Sequence, residues 1–282
     1  MYFVQETDKP NGFYNLLNLI KIENDKILLP ISVEEEISDK KANKMANKTK
    51  RNLDKFICNK LIISKKIKKL DNYINYLNTY NIIIPDGKWL FQVLSENILD
   101  YVIKKRKITN EEIIISILIN DLTEIMLENI KEIIRKYKKV NIVTNHIEKF
   151  KKIEKQILED EGIMITINNN KRKSLSKSRM ILNVDFPTEL INKYIIYDES
   201  IIINLRGNVK INKKRFNGIN INDYEITCNN LEDFSGIDKN LYYLKDIYEA
   251  NIYKKQPFKS LKNRLKKDKV EIKELIANNI IL

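Results

Sequence analysis

Glycine is scarce in this chain: six residues of 282, alongside five prolines. A backbone so poor in glycine has few points at which it can come close to a phosphate. The two cysteines, Cys58 and Cys228, and the single histidine, His146, lie far apart and fit no recognised zinc spacing. No metal is expected, and a reducing compartment disfavours a disulfide between the cysteines. Long apolar runs are missing too. The longest, Ile113–Ile119, is interrupted by Ser116 and falls far short of the roughly 20 residues that span a bilayer. The opening Met-Tyr-Phe-Val-Gln-Glu has neither the basic start nor the apolar stretch of a secretory signal. No membrane insertion is expected, and the expected location is the cytoplasm.

Lysine, by contrast, is abundant. Lys and Arg number 51 against 38 Asp and Glu, a formal charge of +13, and hydrophobic residues make up 43%, as in a globular chain. The charge is unevenly placed. Residues 38–70 carry 12 basic and 2 acidic side chains and residues 254–273 carry 9 and 2, which leaves the remainder slightly acidic. In the first segment Lys40, Lys41, Lys44, Lys48, Arg51 and Lys55 fall on an expected helix, Glu34–Ile57, whose few apolar positions leave most of its surface to water. Lys65, Lys66, Lys68 and Lys69 extend the patch. Such cations can neutralise phosphates, which makes nucleic acid or another polyanion a candidate partner. Phe56 is the one aromatic among them, so single-strand stacking has little support. The competing reading is a solvated lysine face.

Hydrophobic patterning gives the architecture. In the first half, Lys26–Ile31, Leu61–Ile63 and Asn81–Ile84 read as short strands, and Ser64 caps a helix through Ile67, Leu70, Ile74 and Leu77. Pro85-Asp86-Gly87 is a turn, followed by an amphipathic helix over Lys88–Lys105. The second half alternates strands with helices. Ile113–Ile119, Val140–Thr144, Ile163–Ile167, Met180–Val184 and Ile201–Leu205 are strands, the first a β-branched run suited to burial on both faces. Asp121-Leu-Thr-Glu124 has the spacing of a capping box, Asn145 is placed to cap the next helix, and that helix stops at Gly162. Residues 168–178 read as a basic, polar stretch, and Pro187 opens a short helix. The tail after Leu231 reads as helical, with Leu241, Leu244, Ile247 and Tyr248 on one face. The expected class is α/β: a smaller α/β domain over 1–106, a parallel sheet over 107–230 with right-handed crossovers, and C-terminal helices over 231–282.

Ligands of open parallel sheets bind beyond the carboxyl ends of the strands. Here those ends are Asn120-Asp121, Thr144-Asn145-His146, Asp185-Phe186 and Arg206-Gly207-Asn208. A dinucleotide site needs glycines after the first strand, and Ile119-Asn120-Asp121-Leu122 has none. Asp121 also puts a negative charge where phosphate would sit. The cofactor-binding candidates are nonetheless Asn120, Asp121, Thr144, Asn145, Arg206 and Gly207. The polar tip Thr144-Asn145, without an acid, would tolerate a 2′-phosphate, so NADP is the cofactor to look for if one binds. His146 is a candidate general base by its near-neutral reference pKa, against the plainer reading of a surface residue.

The order of parts, with Pro85-Asp86-Gly87-Lys88-Trp89-Leu90-Phe91 opening a linking helix before a Rossmann-like half, resembles the shikimate dehydrogenase layout. The resemblance implies a substrate-contacting role for Asp86, which matches the Asp of that family's Asn-Thr-Asp-Gly segment. Ile142-Val-Thr-Asn145 is similar to its second-strand Asn-Arg-Thr segment. Three readings follow. The first is a degenerate Rossmann-like protein, a non-catalytic binding or regulatory component with no cofactor and a protein partner. The second is an NADP-dependent oxidoreductase with Asp86 in substrate binding. The third is a nucleic-acid or polyanion binder through residues 38–70.

Overall fold

Phe3 and Val4 point to opposite faces of one strand, and both are buried. A strand with two buried faces needs a layer on each side, and the computed structural model supplies both. It describes residues 1–7, 19–31, 37–109, 113–212, 216–229, 237–253, 256–277 and 280–282. The chain divides into two compact units, residues 1–87 with 231–255 and residues 88–230 with 256–282. The tail expected as one helical segment is thus shared between them.

The first unit is a four-stranded sheet in the order β2-β3-β1-β4, with β1 Tyr2–Glu6, β2 Lys21–Glu23, β3 Lys26–Leu29 and β4 Leu61–Ile63. β1 runs parallel to both β3 and β4. Val4, Ile27, Leu29, Leu61 and Ile63 pack beneath the helices Asp39–Lys55 and Asp71–Thr79. On the other face Phe3 and Ile62 meet Tyr242, Ile247 and Ala250 of the tail. Thr49 and Tyr73 join the two helices through a buried 2.9 Å hydroxyl pair. The long basic helix begins at Asp39, capped by Ser38, whose hydroxyl accepts from the Lys41 amide; residues 34–36 of the expected helix lie outside the described residues. The expected strand at 81–84 shrinks to a single bridge between Lys60 and Ile83. Pro85, without an N–H, ends the pairing there.

The second unit holds β5 Ile115–Leu118, β6 Val140–Val143, β7 Thr166–Asn168, β8 Met180–Asn183, β9 Ile201–Asn204, β10 Ile219–Thr227, β11 Glu271–Ala277 and β12 Ile280–Ile281. Their order across the sheet is β7-β6-β5-β8-β9-β10-β11-β12. The first six are parallel and the last two antiparallel. Numbered by appearance, the parallel strands run 3-2-1-4-5-6, the Rossmann order, with its switch point between β5 and β8. Ser116, which breaks the apolar run of β5, is buried against Ser178 with hydroxyls 2.6 Å apart. The expected α/β class, with a parallel sheet in the second half and helices near the C-terminus, is the observed one.

Local expectations needed several corrections. Thr123, not Asp121, caps the helix Glu124–Lys136, its hydroxyl accepting from the Met126 amide. His146, not Asn145, is the N-cap of Ile147–Glu161, without a side-chain cap bond. The polar stretch 168–178 contains a helix, Lys171–Lys177, capped by Asn170. The helix expected over Lys88–Lys105 is two, Lys88–Val93 and Ser95–Lys105. There the Ser95 hydroxyl donates to the Gln92 carbonyl, a back-bond that bends helices. The tail adds strands β11 and β12 to its two helices, Leu244–Ile252 and Phe258–Lys267.

Gly162 ends its helix in the left-handed region at φ +68°, and a Cβ there would meet nothing within 4 Å. Replacement by Val should therefore cost backbone strain alone, about 1–2 kcal/mol in a urea titration. Unchanged stability would mean that the helix end can rearrange.

Candidate functional site

The strand ends of the second unit meet at the switch point. Register places Leu118 of β5 beside Val143 and Asn183, and Asn183 beside Asn204. The loops that leave these residues converge. Asp185, just past β8, turns its carboxylate onto the loop after β5. The Asn120 amide donates to its two oxygens at 2.9 and 3.1 Å, and the Asp121 amide donates at 2.6 Å. These are the N–H groups that would cradle a phosphate in a dinucleotide-binding member of this fold. Here a carboxylate already holds them. Arg206 lies over the pair, with Nη1 3.6 Å from Asp121 and 4.0 Å from Asp185, and its Nε donates to Gln92 Oε1 at 3.1 Å. Lys149 is 3.6 Å from Asp121.

Of the residues singled out by sequence, Asn120, Asp121, Asn145 and Arg206 come together. The Asn145 amide donates to Asn120 Oδ1 at 2.9 Å. Thr144 is buried, and its hydroxyl accepts from the His146 amide, so it braces the turn. A Cβ at Gly207 would meet nothing within 4 Å, so no close approach requires glycine there.

A row of asparagines stands behind this rim, buried at Asn183, Asn204 and Asn220 and half-buried at Asn222. Asn183 Nδ2 donates to Asn204 Oδ1 at 2.9 Å, and Asn204 Nδ2 donates to Asn220 Oδ1 at 2.7 Å and Asn222 Oδ1 at 2.9 Å. Asn183 Oδ1 accepts from the Phe186 amide and Asn222 Oδ1 from the Val209 amide. The row fixes the turns that carry Asp185 and Arg206. Sequence reasoning missed it, although the alternation Ile219-Asn-Ile-Asn222 was the signal for β10.

The first unit has its own polar cluster at the carboxyl ends of β1 and β4. Asp246, from the tail helix, is fully buried, and Lys68 Nζ lies 2.5 Å from its Oδ2. Burial pushes its carboxyl up from 3.8 to about 6. Lys68 and Lys245 pull the other way, and Asp86 adds to the rise. Its Oδ1 has no hydrogen-bond partner. Lys65, Lys68 and Lys245 gather round the Tyr243 ring at 5.1–5.2 Å. Beside them the Ser64 hydroxyl donates to Glu6 at 2.9 Å, and Lys66 pairs with Glu6 at 3.3 Å. The Asp86 amide donates to buried Glu249 at 3.3 Å. Gly87, at φ +81°, lets the Lys245 chain pass where a Cβ would stand 2.8 Å from it. Asp86 was singled out by resemblance; Lys68, Tyr243, Lys245 and Asp246 were not. Lys65, Lys66 and Lys68 each have a partner inside the unit, and Lys66 stays exposed.

The second basic segment is partly neutralised. Lys262 pairs with Glu132 at 2.9 Å and Glu96 at 3.8 Å, on the wall of a cavity of about 570 Å³ that also carries Arg135, Lys266 and Glu271. Among the described residues no helix is long and apolar enough to cross a membrane, and no cluster of side chains could hold a metal ion.

No protein-family model matches the chain, and no curated relative does. Similar solved structures include an L-tryptophan dehydrogenase from Nostoc punctiforme, at 11% identity and a TM-score of 0.33, over 67% of this chain and 53% of that one. The chain thus spans about half the dehydrogenase's length. An ornithine carbamoyltransferase from Pyrococcus furiosus matches at 11% identity and a TM-score of 0.29, over 72% of this chain and 71% of that one. A putative aspartate carbamoyltransferase from Trypanosoma cruzi has 13% identity and a TM-score of 0.25, over 72% and 68%. The class rests on the strand order itself: a Rossmann-like α/β protein preceded by a smaller α/β unit.

Proposed function

We propose that this protein is a non-catalytic binding or regulatory component, a Rossmann-like chain that holds no dinucleotide. The observation that carries the reading is the Asp185 carboxylate on the Asn120 and Asp121 amides. A phosphate arriving there would have to displace three bonds to an ionised group and face the charges of both Asp121 and Asp185. The residues at the switch point therefore do not fit a dinucleotide pyrophosphate.

The test is thermal unfolding of the whole protein with NAD(H) and with NADP(H). A ligand at about 100 times its dissociation constant adds roughly 2.7 kcal/mol, a shift of several degrees. No shift with either nucleotide is expected.

A specific observation favours a second reading, the NADP-dependent oxidoreductase. Asp246 is a buried carboxylate of raised pKa with one oxygen unpartnered, paired to Lys68 and close to Asp86. Strongly perturbed carboxyls of this kind concentrate at functional sites. In this reading Asn120, Thr144, Asn145, Arg206 and Gly207 border the cofactor, and a stabilising shift with NADP(H) would select it over the first.

A further inference from the structure

Five of the cations on the helix Asp39–Lys55 form one stripe. Lys40, Lys44, Lys48, Arg51 and Lys55 follow at steps of four, four, three and four. At 3.6 residues per turn they fall within an arc of about 80°, over about 22 Å of helix. Ala42, Met45, Ala46, Thr49 and Leu53 are buried on the far side. The helix's own carboxylates are occupied, Asp54 by Lys50 and Asp39 by the Tyr76 hydroxyl. Among the described residues no ion pair reaches Lys40, Lys44, Arg51 or Lys55. Partial burial, and to a lesser extent the neighbouring Lys44, lower the pKa of Lys48.

The end of this helix is the anomaly. Ile57 adopts φ +51°, with the Cys58 amide bonded back to the Leu53 carbonyl. The helices that end near Tyr80, Arg106 and Asp268 close in the same way, with Asn81, Lys107 and Lys269 in the left-handed position, and Gly162 is left-handed at the end of Ile147–Glu161. Those residues are polar or glycine. A β-branched residue is the wrong choice for that conformation, and Ile57 is also 98% exposed, with Phe56 beside it at 47%. Neither backbone nor packing within the unit explains an isoleucine here.

We infer that the basic stripe and Ile57 at the helix end form a docking surface for an anionic lipid bilayer, with the helix lying along the headgroups and Ile57 reaching the acyl boundary. Charge complementarity supplies the first half of the argument, since rows of Lys and Arg are drawn to anionic leaflets. Ile57 supplies the second. An isoleucine side chain can neither stack on a base nor bond a phosphate, and it gains only by leaving water for an apolar medium. Phe56, the neighbouring aromatic, already packs on Tyr2 with ring centroids 5.1 Å apart. Reversible attachment to a membrane surface commonly needs two such signals acting together.

The full-length protein should sediment with vesicles of phosphatidylcholine and phosphatidylserine in equal parts, and not with phosphatidylcholine alone. Binding should fall steeply as salt rises. Lys44→Glu combined with Arg51→Glu should weaken it at least about tenfold. Ile57→Gly should also weaken it about tenfold, while leaving the unfolding midpoint equal or higher, because glycine suits the left-handed position. Loss of binding without loss of fold separates docking from a structural role. Failure to bind anionic vesicles overturns the proposal, as does vesicle binding indifferent to Ile57→Gly. Capture of a duplex oligonucleotide in place of vesicles, lost with the charge reversals, overturns it in favour of nucleic acid.

Discussion

Asp246→Asn should make the protein more stable at neutral pH, by about 2 kcal/mol. The side chain is fully buried, and burial outweighs both neighbouring lysines in setting its pKa, raised from 3.8 to about 6. In the folded chain the carboxyl holds its proton up to about pH 6; in the unfolded chain it releases it near 3.8. Between those values the folded state binds more protons, so the group's stabilisation is complete on the acid side and is lost as pH rises to about 6. A shift of two units corresponds to about 3 kcal/mol. Asparagine has the shape of the protonated acid and none of the charge, so the variant should keep most of that energy at pH 7 and show a flatter profile between about pH 4 and 6. Urea titrations on either side of that window measure both. Should the variant be less stable at neutral pH, the attraction of Lys68 exceeds the cost of burial and the pair is structural.

A gain would bear on function. Buried charges that a neutral isostere could replace at a profit in stability are kept for reasons other than folding. Asp246 also has an oxygen without a partner, and Lys68 and Lys245 lie close by.

Much of this fold is legible in the sequence because parallel strands buried on both faces announce themselves. Ile-Ser-Ile-Leu at β5, Met-Ile-Leu-Asn at β8 and Ile-Ile-Ile-Asn at β9 are short apolar runs spaced by helical stretches. Strands β10 and β11 are less plain, since Ile219–Thr227 and Glu271–Ala277 mix charged and polar residues with apolar ones and are only partly buried. The helix Lys171–Lys177 hides in a basic stretch because only Ser174 and Leu175, with the stem of Lys171, are buried. The rim of the switch point could be located from strand ends alone. The role of Asp185 could not, because its partners lie 64 and 65 residues earlier and meet it only through the strand order. Lys68 and Asp246 are 178 residues apart, and nothing local to either signals the other.

Asp185→Ala should open an anion site that the parent protein does not have. The carboxylate accepts from the Asn120 and Asp121 amides and lies 4.0 Å from Arg206. Its removal leaves two aligned backbone donors and a guanidinium facing a gap of carboxylate size. Hydrogen bonds to ionised groups are worth about 1.5–3 kcal/mol each, and water reaches the exposed Asp121 side of this loop, so a net loss of about 2 kcal/mol is expected. Inorganic phosphate should then restore stability to the variant, by roughly 2.7 kcal/mol at about 100 times its dissociation constant, and leave the parent unchanged. Asp121→Asn added to the variant should strengthen the effect, because it removes the other negative charge at the rim and frees Arg206 for the ligand. Rescue confined to the variants would establish Asp185 as the occupant that excludes phosphate from a site otherwise intact. Equal stabilisation of the parent would mean that the carboxylate yields to the ligand, and the dinucleotide reading would return. No rescue in either would place the fault in the loop itself, where Asn120 and Asp121 stand in positions that only glycine lets a pyrophosphate approach.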